Sequence, residues 1–454
     1  MLTIKCNFHD IHALISKEII VLLQSLRKMG MQVFKFGGAS VKNAEAVRNV
    51  TTVLNMYKRQ PLVVVISAMG KSTNALEAIH HSIITNDGKL DSHIETFNKF
   101  HDEIIDELFQ LDRPWLKEHI SNLFKEVKAL SGKEFTGNPD QLYDHVVSIG
   151  ELSSTLIIDN HLKCSGVNSI WVDARTLVKT DSNYKEGRID WEETERLMKA
   201  QLMPNVSENS VIITQGFIGS DSNNTTTTLG REGSDYSAAI FAYCLNADNM
   251  TIWKDVPGVL NADPRKYSNA VKLDEVSYTE AIELAYYGAS VIHPRTIQPL
   301  QRKNIKMWVN SFVNPKATGT LISQDATTNT NIPSYINQNG QWLITIATRD
   351  FSFIVEEHLS QIFDLFSKHK VKIDIMQNSA IYFTVAVHNL EWRLLALIDD
   401  LKEIFNVKYN TDAELITIRH YNDSIIKELV TDRVVYMEQK TRETYRVLLG
   451  EKED

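Results

Sequence analysis

Val33-Phe34-Lys35-Phe36-Gly37-Gly38-Ala39-Ser40 sets a short run of strand-forming residues directly against a glycine pair. Valine and phenylalanine suit a pleated, half-buried surface, and the glycines let the chain turn sharply. A helix pattern follows over Ala44 to Leu54. The next unit repeats the scheme: Leu62-Val63-Val64-Val65-Ile66 is a continuous apolar run ending in Ser67-Ala68-Met69-Gly70, and a helical stretch follows again. A strand apolar on both faces is covered on both faces, which is the habit of parallel sheets.

Outward from this start the alternation continues. Strand patterns fall at Ser169 to Val172, Ser210 to Ile213, Met250 to Trp253 and Ile305 to Val309. Helix patterns fall at 144–162, 191–202, 234–245 and 277–288, and residues 76–130 are charged and helical. Alternating strands and helices predict an α/β domain, a three-layer α-β-α sandwich around a mostly parallel sheet, over residues 31–324. Residues 325–340, rich in Thr and Asn, read as a linker. Beyond it the order β-α-β-β-α-β predicts a ferredoxin-like α+β domain, with strands at Leu343 to Ala347, Lys372 to Met376, Ile381 to Val387 and Glu414 to Arg419 and helices at Glu356 to His369 and Leu390 to Ile404. The tail from Ile425 has room for one short helix and two short strands, too little for a second complete copy, so 341–454 is expected as one region with a truncated repeat.

Composition narrows the function. With 454 residues, two or three domains are expected. Lys and Arg total 48 against 57 Asp and Glu, a formal net charge of -9. That excess argues against a nucleic-acid or anionic-membrane binder, which needs a basic face. The three cysteines, Cys6, Cys164 and Cys244, fit neither a metal knuckle nor a redox pair, so a reducing, cytoplasmic setting is expected. No apolar run is long enough to span a bilayer. Residues 1–30 read as an amphipathic helix interrupted by Lys17, Glu18, Arg27 and Lys28. A native N-terminal extension and a start at Met31 both stay open.

Five segments carry chemistry suited to phosphoryl transfer, which needs positioned donors, cations and an aligned nucleophile. Lys35 with Gly37-Gly38 offers a mobile cation and approachable amides. Ser67 to Asn74 clusters hydroxyls at a helix start, but Val65 stands where a P-loop needs its first glycine, so the Walker pattern fails. Gly150-Glu151-Leu152-Ser153 places a carboxylate that either holds an ammonium or favours a helix N-terminus. Gly230-Arg231-Glu232-Gly233-Ser234-Asp235 combines a guanidinium suited to a carboxylate with an acid and an N-cap serine. Lys254-Asp255-Val256-Pro257-Gly258 through Asp263-Pro264-Arg265 is either a nucleotide loop or a surface hairpin. Taken singly, each has such a plain structural alternative.

In this order, the segments resemble the motifs of the aspartate kinase family: Lys35 to Val41, Ser67 to Asn74, Ser148 to Ser153, Thr228 to Asp235, Trp253 to Arg265, and Gly288-Ala289-Ser290-Val291-Ile292-His293-Pro294. The resemblance covers about residues 31–420. It implies the amino acid kinase fold and ATP-dependent phosphorylation of the L-aspartate β-carboxylate, the first step toward lysine, threonine and methionine. It further implies that Lys35, Gly37, Gly38 and Asp235 are catalytic, and that Ser67, Thr73, Glu151, Arg231 and Ser234 bind substrate. Lys35, Lys254, Asp255, Leu260, Arg265 and Ser290 would meet the nucleotide. Mg²⁺ would arrive with ATP, with no dedicated metal site in the protein. The C-terminal region resembles an ACT domain through Leu359 to Phe366 and Lys372 to Ser379, making Asp374 and Ser379 candidate effector residues and a homodimer the expected assembly.

Several positions depart from the family pattern. Ser290 replaces a common Lys, Lys254 a Thr, Leu260 a Tyr and Glu232 a Gly, while Ala380 and Glu357-His358 depart from lysine-sensitive ACT domains. Feedback inhibition is therefore not implied as strongly as the activity. The alternatives are another enzyme of the wider kinase family, acting on glutamate or acetylglutamate, and a non-catalytic amino-acid sensor that keeps the fold. No nucleic-acid or membrane partner is expected.

Overall fold

The computed structural model describes residues 30–57, 60–207, 209–289, 292–327, 331–350, 352–390 and 392–450. The helix expected over residues 1–30 and the position of Ser290 lie outside them. The chain forms two compact units.

In the first unit the sheet strands are β1 (Gln32–Phe36), β2 (Leu62–Ile66), β3 (Ser169–Val172), β4 (Val211–Gln215), with a small hairpin of β5 (Ile218–Ser220) and β6 (Thr226–Thr228), then β7 (Asn249–Lys254), β8 (Glu275–Ser277), β9 (Lys306–Ser311) and β10 (Thr320–Ser323). The eight-stranded sheet runs β3-β4-β2-β1-β7-β9-β10-β8, and only the β9–β10 pairing is antiparallel. Every residue of β2 and β4 is buried, as the unbroken apolar run of β2 requires, and β4 buries Thr214 and Gln215 after its own apolar residues. Side chains alternate across the sheet. Phe34, Phe36, Val64 and Ile66 join one core with the helices Ala44–Asn55, Ser72–Thr85, Leu90–Leu108 and Pro139–Cys164. Val33 and Lys35 therefore face the opposite layer, where the helix Gly233–Cys244 packs on β1, β2 and β7. This alternation is what aims a lysine at the start of that helix.

The second unit is a six-stranded antiparallel sheet of β11 (Ser334–Ala347), β12 (Ile373–Asn378), β13 (Tyr382–His388), β14 (Asn406–Arg419), β15 (Val434–Lys440) and β16 (Thr444–Gly450), ordered β12-β13-β11-β14-β16-β15. The helices Glu356–Lys368 and Trp392–Ile404 cover Ile344, Ile346, Val385 and Val387 on one face. The helix Asp423–Val430 covers Ile418, Tyr445 and Val447. The tail thus forms the one helix and two strands that its length allows.

Two boundaries differ from expectation. The stretch 334–340 is not linker but the first half of β11, whose residues Ser334 to Gln338 pair with β14 from Arg419 to Leu415. Its polar side chains hid a strand that buries Ser334 and Ile336 on one face and half-buries Tyr335 and Asn337 on the other. Segments 260–273 and 279–291 also group with the second unit rather than with the eight-stranded sheet. They are tied there by Arg419, whose buried guanidinium donates through Nε to Glu280 at 3.1 Å, and by Lys266, which pairs with Glu414 at 3.0 Å.

Candidate active site

A cleft of ≈ 280 Å³ opens where β1 and β2 end and the helix Gly233–Cys244 begins. Its walls bring together Lys35 and Gly38 from the first motif, Ser67 and Thr73 from the second, Glu151 from the third, and Ser234 and Asp235 from the fourth. Phe217, Gly230 and Glu232 also line it.

The β1 and β2 turns are locked to each other. The Gly70 amide donates to the Gly38 carbonyl at 3.0 Å, and the Ser67 amide donates to the Phe36 carbonyl at 3.1 Å. Gly38 has to be glycine, because a Cβ there would stand 2.8 Å from the Ala68 carbonyl oxygen and 2.9 Å from that of Gly70. Thr73 lies in the first turn of the helix Ser72–Thr85, whose N-terminus faces the cleft with partial positive charge.

Glu151 sits in the middle of the helix Pro139–Cys164 and is 3% exposed. The helix-terminus alternative for this residue is thereby removed. Gly150 lets the helix come close, since a Cβ there would lie 2.9 Å from that of Ala68. One carboxylate oxygen accepts from the Ala68 amide at 3.2 Å, while Oε2 has no hydrogen-bond partner among the described residues. Burial pushes its pKa up to about 8, against the Ala68 amide and the Lys35 ammonium, which pull it down. A buried acid with an unmet acceptor, lining a cleft, suits a ligand ammonium.

Lys35 Nζ lies 2.6 Å from Asp235 Oδ1, both side chains being largely buried. That contact is an ion pair without hydrogen-bond alignment, as Oδ1 has no aligned donor. Two lining residues, Phe217 (φ 70) and Glu232 (φ 54), adopt left-handed backbone without being glycine. Such strain costs on the order of 1–3 kcal/mol each and gathers at functional sites. The Phe217 amide donates to Ser237 Oγ at 2.8 Å, which fixes its turn against the helix.

Two residues that sequence reasoning missed frame the fourth motif. Buried Asp144 accepts from the Thr228 amide at 2.9 Å, the Thr228 hydroxyl at 2.7 Å and the Lys185 amide at 2.9 Å. Arg295 Nη1 donates to the Leu229 carbonyl at 3.3 Å, and its guanidinium lies over the Tyr236 ring. Neither residue type nor spacing betrays Asp144, which is one acid among several on its helix. Arg295 follows His293-Pro294, and that cap-and-proline signature could have placed it on a first helical turn.

Other expected residues lie elsewhere. Arg231 is exposed and does not line the cleft, although it neighbours Gly230 and Glu232, which do. It stands near His293, whose pKa is lowered by burial and further by the Arg295 and Arg231 charges, against the pull of Glu232. Gly37 caps the short helix Gly38–Val41 beside the Lys35 ammonium. Lys254 ends β7 and Asp255 follows it, exposed, next to the end of β1. Leu260 and Arg265 belong to the second unit, where Arg265 grips Asp263 at 2.7 Å. Of the candidate effector residues, Asp374 offers its backbone carbonyl to Arg446 at 2.8 Å, and Ser379 closes the β12–β13 hairpin through its amide and the Tyr382 carbonyl at 2.8 Å.

A mostly parallel α/β sheet whose strand ends carry a lysine, glycine turns, helix N-termini and buried acids defines a small-molecule phosphotransferase. Residues 30–311 match the model of the amino acid kinase family. The chain is 31% identical over 349 residues to lysine-sensitive aspartokinase 3 of Escherichia coli (strain K12), covering 77% of this chain and 76% of that one. It is 30% identical over 408 residues to the bifunctional aspartokinase/homoserine dehydrogenase of Buchnera aphidicola subsp. Acyrthosiphon pisum (strain APS), covering 84% of this chain but 48% of the relative. Its fold matches the solved structure of E. coli aspartokinase III in complex with aspartate and ADP, with TM-score 0.74 and 27% identity over 92% of this chain and 96% of that one. The chain belongs to the amino acid kinase family, and within it to the aspartokinases.

Proposed function

We propose that the protein transfers the γ-phosphoryl group of ATP to the β-carboxylate of L-aspartate, releasing ADP and 4-phospho-L-aspartate. The observation that carries this is the convergence of Lys35, Asp235 and Glu151 on one cleft. The matching E. coli structure, which holds aspartate and ADP, supports it.

The acceptor carboxylate is ionised at neutral pH and needs no general base. One of its oxygens forms a bond to the γ-phosphorus as the β,γ-bridging bond breaks toward ADP. Lys35 and the amides around Gly37-Gly38 stabilise the charge on the transferring group. Glu151 and Asp235 take the aspartate ammonium, which frees Lys35 from its ion pair for the phosphoryl oxygens. Ser67, Thr73 and Ser234 orient the acceptor, and Arg231, from its exposed place beside the cleft, holds the α-carboxylate on entry. Lys254 and Asp255 serve the nucleotide.

The lining residues hold three carboxylates, Glu151, Glu232 and Asp235, against the Lys35 ammonium, too little positive charge for a triphosphate. Among the described residues no cluster of three or more His, Cys, Asp or Glu could hold a metal. Mg²⁺ carried on the phosphates would supply the charge neutralisation that the lining lacks. The product would enter lysine, threonine and methionine synthesis in the cytoplasm. The second unit would take a small amino-acid effector, with Asp374 and Ser379 nearby, in a homodimer. A panel of acceptors (aspartate, glutamate, N-acetylglutamate, UMP) tested for ADP release decides the substrate; release with any acceptor other than aspartate as the preferred one overturns the proposal.

A further inference from the structure

The loop Gly230–Asp235 carries the acceptor-side residues of the cleft, yet its own backbone is strained at Glu232. Something outside the loop must hold it in place. On its amino-terminal side, Asp144 fixes Thr228. A further contact comes from the helix Pro294–Arg302. Pro294 occupies its first turn, and His293 caps it by accepting the Arg295 amide at 3.2 Å through Nδ1. That cap sets the direction in which Arg295 leaves the helix.

Its guanidinium then touches both ends of the loop. Nη1 donates to the Leu229 carbonyl at 3.3 Å, just before Gly230, and the guanidinium carbon lies 5.4 Å from the Tyr236 ring centroid, just after Asp235. A Cβ on Gly230 would lie 3.6 Å from the same Nη1, so the cation closes over the glycine itself. A planar, delocalised cation can hydrogen-bond in its plane and stack on an aromatic face at once, and lysine cannot do both.

We infer that Arg295 is a positioning residue for the acceptor loop, clamping Leu229 to Tyr236 so that Ser234 and Asp235 stay aimed into the cleft. Arg295 does not line the cleft and touches no reacting atom. The inference rests on the acceptor role proposed for this loop.

The test compares wild type with Arg295→Met, Arg295→Lys and Tyr236→Leu. In Arg295→Met the KM for aspartate rises about tenfold or more while the KM for ATP stays within about twofold, as a loosened substrate clamp costs acceptor alignment. Arg295→Lys recovers only part of the loss. Tyr236→Leu adds little on top of Arg295→Met, since both break one clamp. Amide hydrogen exchange over 229–236 speeds up in Arg295→Met, with the central strands unchanged. Equal shifts of both KM values, or unchanged exchange over 229–236, overturn the inference. If the wild type does not phosphorylate aspartate at all, the function proposed above fails, and the exchange arm still decides the role of Arg295.

Discussion

Lys35 Nζ and Asp235 Oδ1 lie 2.6 Å apart, one on the central strand of the sheet and the other in the first turn of a helix far along the chain. The pair exists because β1 alternates its side chains and the helix Gly233–Cys244 packs on that same face. A lysine held by an acid is positioned but not committed: an incoming ammonium takes over the acid and leaves the cation for a phosphoryl oxygen. Lys35→Met should lower kcat by about 10²–10³-fold, the loss typical of one preorganised charge donor. Steady-state kinetics at saturating ATP and aspartate check this, and a kcat within a few-fold of wild type would remove Lys35 from catalysis.

Glu151 gives a pH prediction with a definite sign. Its folded pKa of about 8 lies above the ordinary carboxylate value of 4.5 because burial disfavours the charged form. Below pH 8 the acid must lose a proton before it can hold an ammonium, so the aspartate KM should fall as pH rises from 6 to 8 and then level off. Over the same range the folded protein holds a proton that the unfolded chain releases, so Glu151 makes stability decrease as pH rises from about 4.5 to 8. Glu151→Gln should flatten both dependences and raise the aspartate KM by about 10–100-fold, as a charge-assisted contact is lost. A KM profile identical in wild type and Glu151→Gln would contradict the assignment.

Asp144 predicts a stability effect. Its carboxylate accepts from two backbone amides and one hydroxyl. In Asp144→Asn an amide nitrogen would face at least one of those donors, costing about 1–3 kcal/mol. Urea melts should show the loss, together with a raised KM for aspartate. An unchanged midpoint would mean that the three bonds count for little.

Lys254 stands at the end of β7 beside β1. Lys254→Met should raise the ATP KM about tenfold and leave the aspartate KM alone. An unchanged ATP KM would separate Lys254 from the nucleotide.

Much of this was legible in the residues. Runs such as Leu62 to Ile66 declare a strand buried on both faces, and the glycine turns after β1 and β2 mark where the cleft opens. The β-α-β-β-α-β order beyond residue 341 also needed no tertiary information. Other features are set by distant partners. Ser334 to Gln338 becomes strand because β14 pairs with it, and its Asn and Gln side chains masked the alternation. The expected helical stretch 76–130 breaks into Ser72–Thr85, Leu90–Leu108, Pro114–Asn122 and Lys125–Lys128, with Pro114 starting the third. Arg231 and Glu151 illustrate the limit at the site. Both sit in motifs, but only packing reveals that the first is exposed and the second is buried with one oxygen unmet.

The most direct test traps the acyl phosphate as it forms. Wild-type protein with ATP, Mg²⁺, L-aspartate and hydroxylamine should yield aspartyl hydroxamate with matching ADP, and Lys35→Met should yield almost none. No hydroxamate from the wild type, or as much with glutamate as with aspartate, would contradict the account.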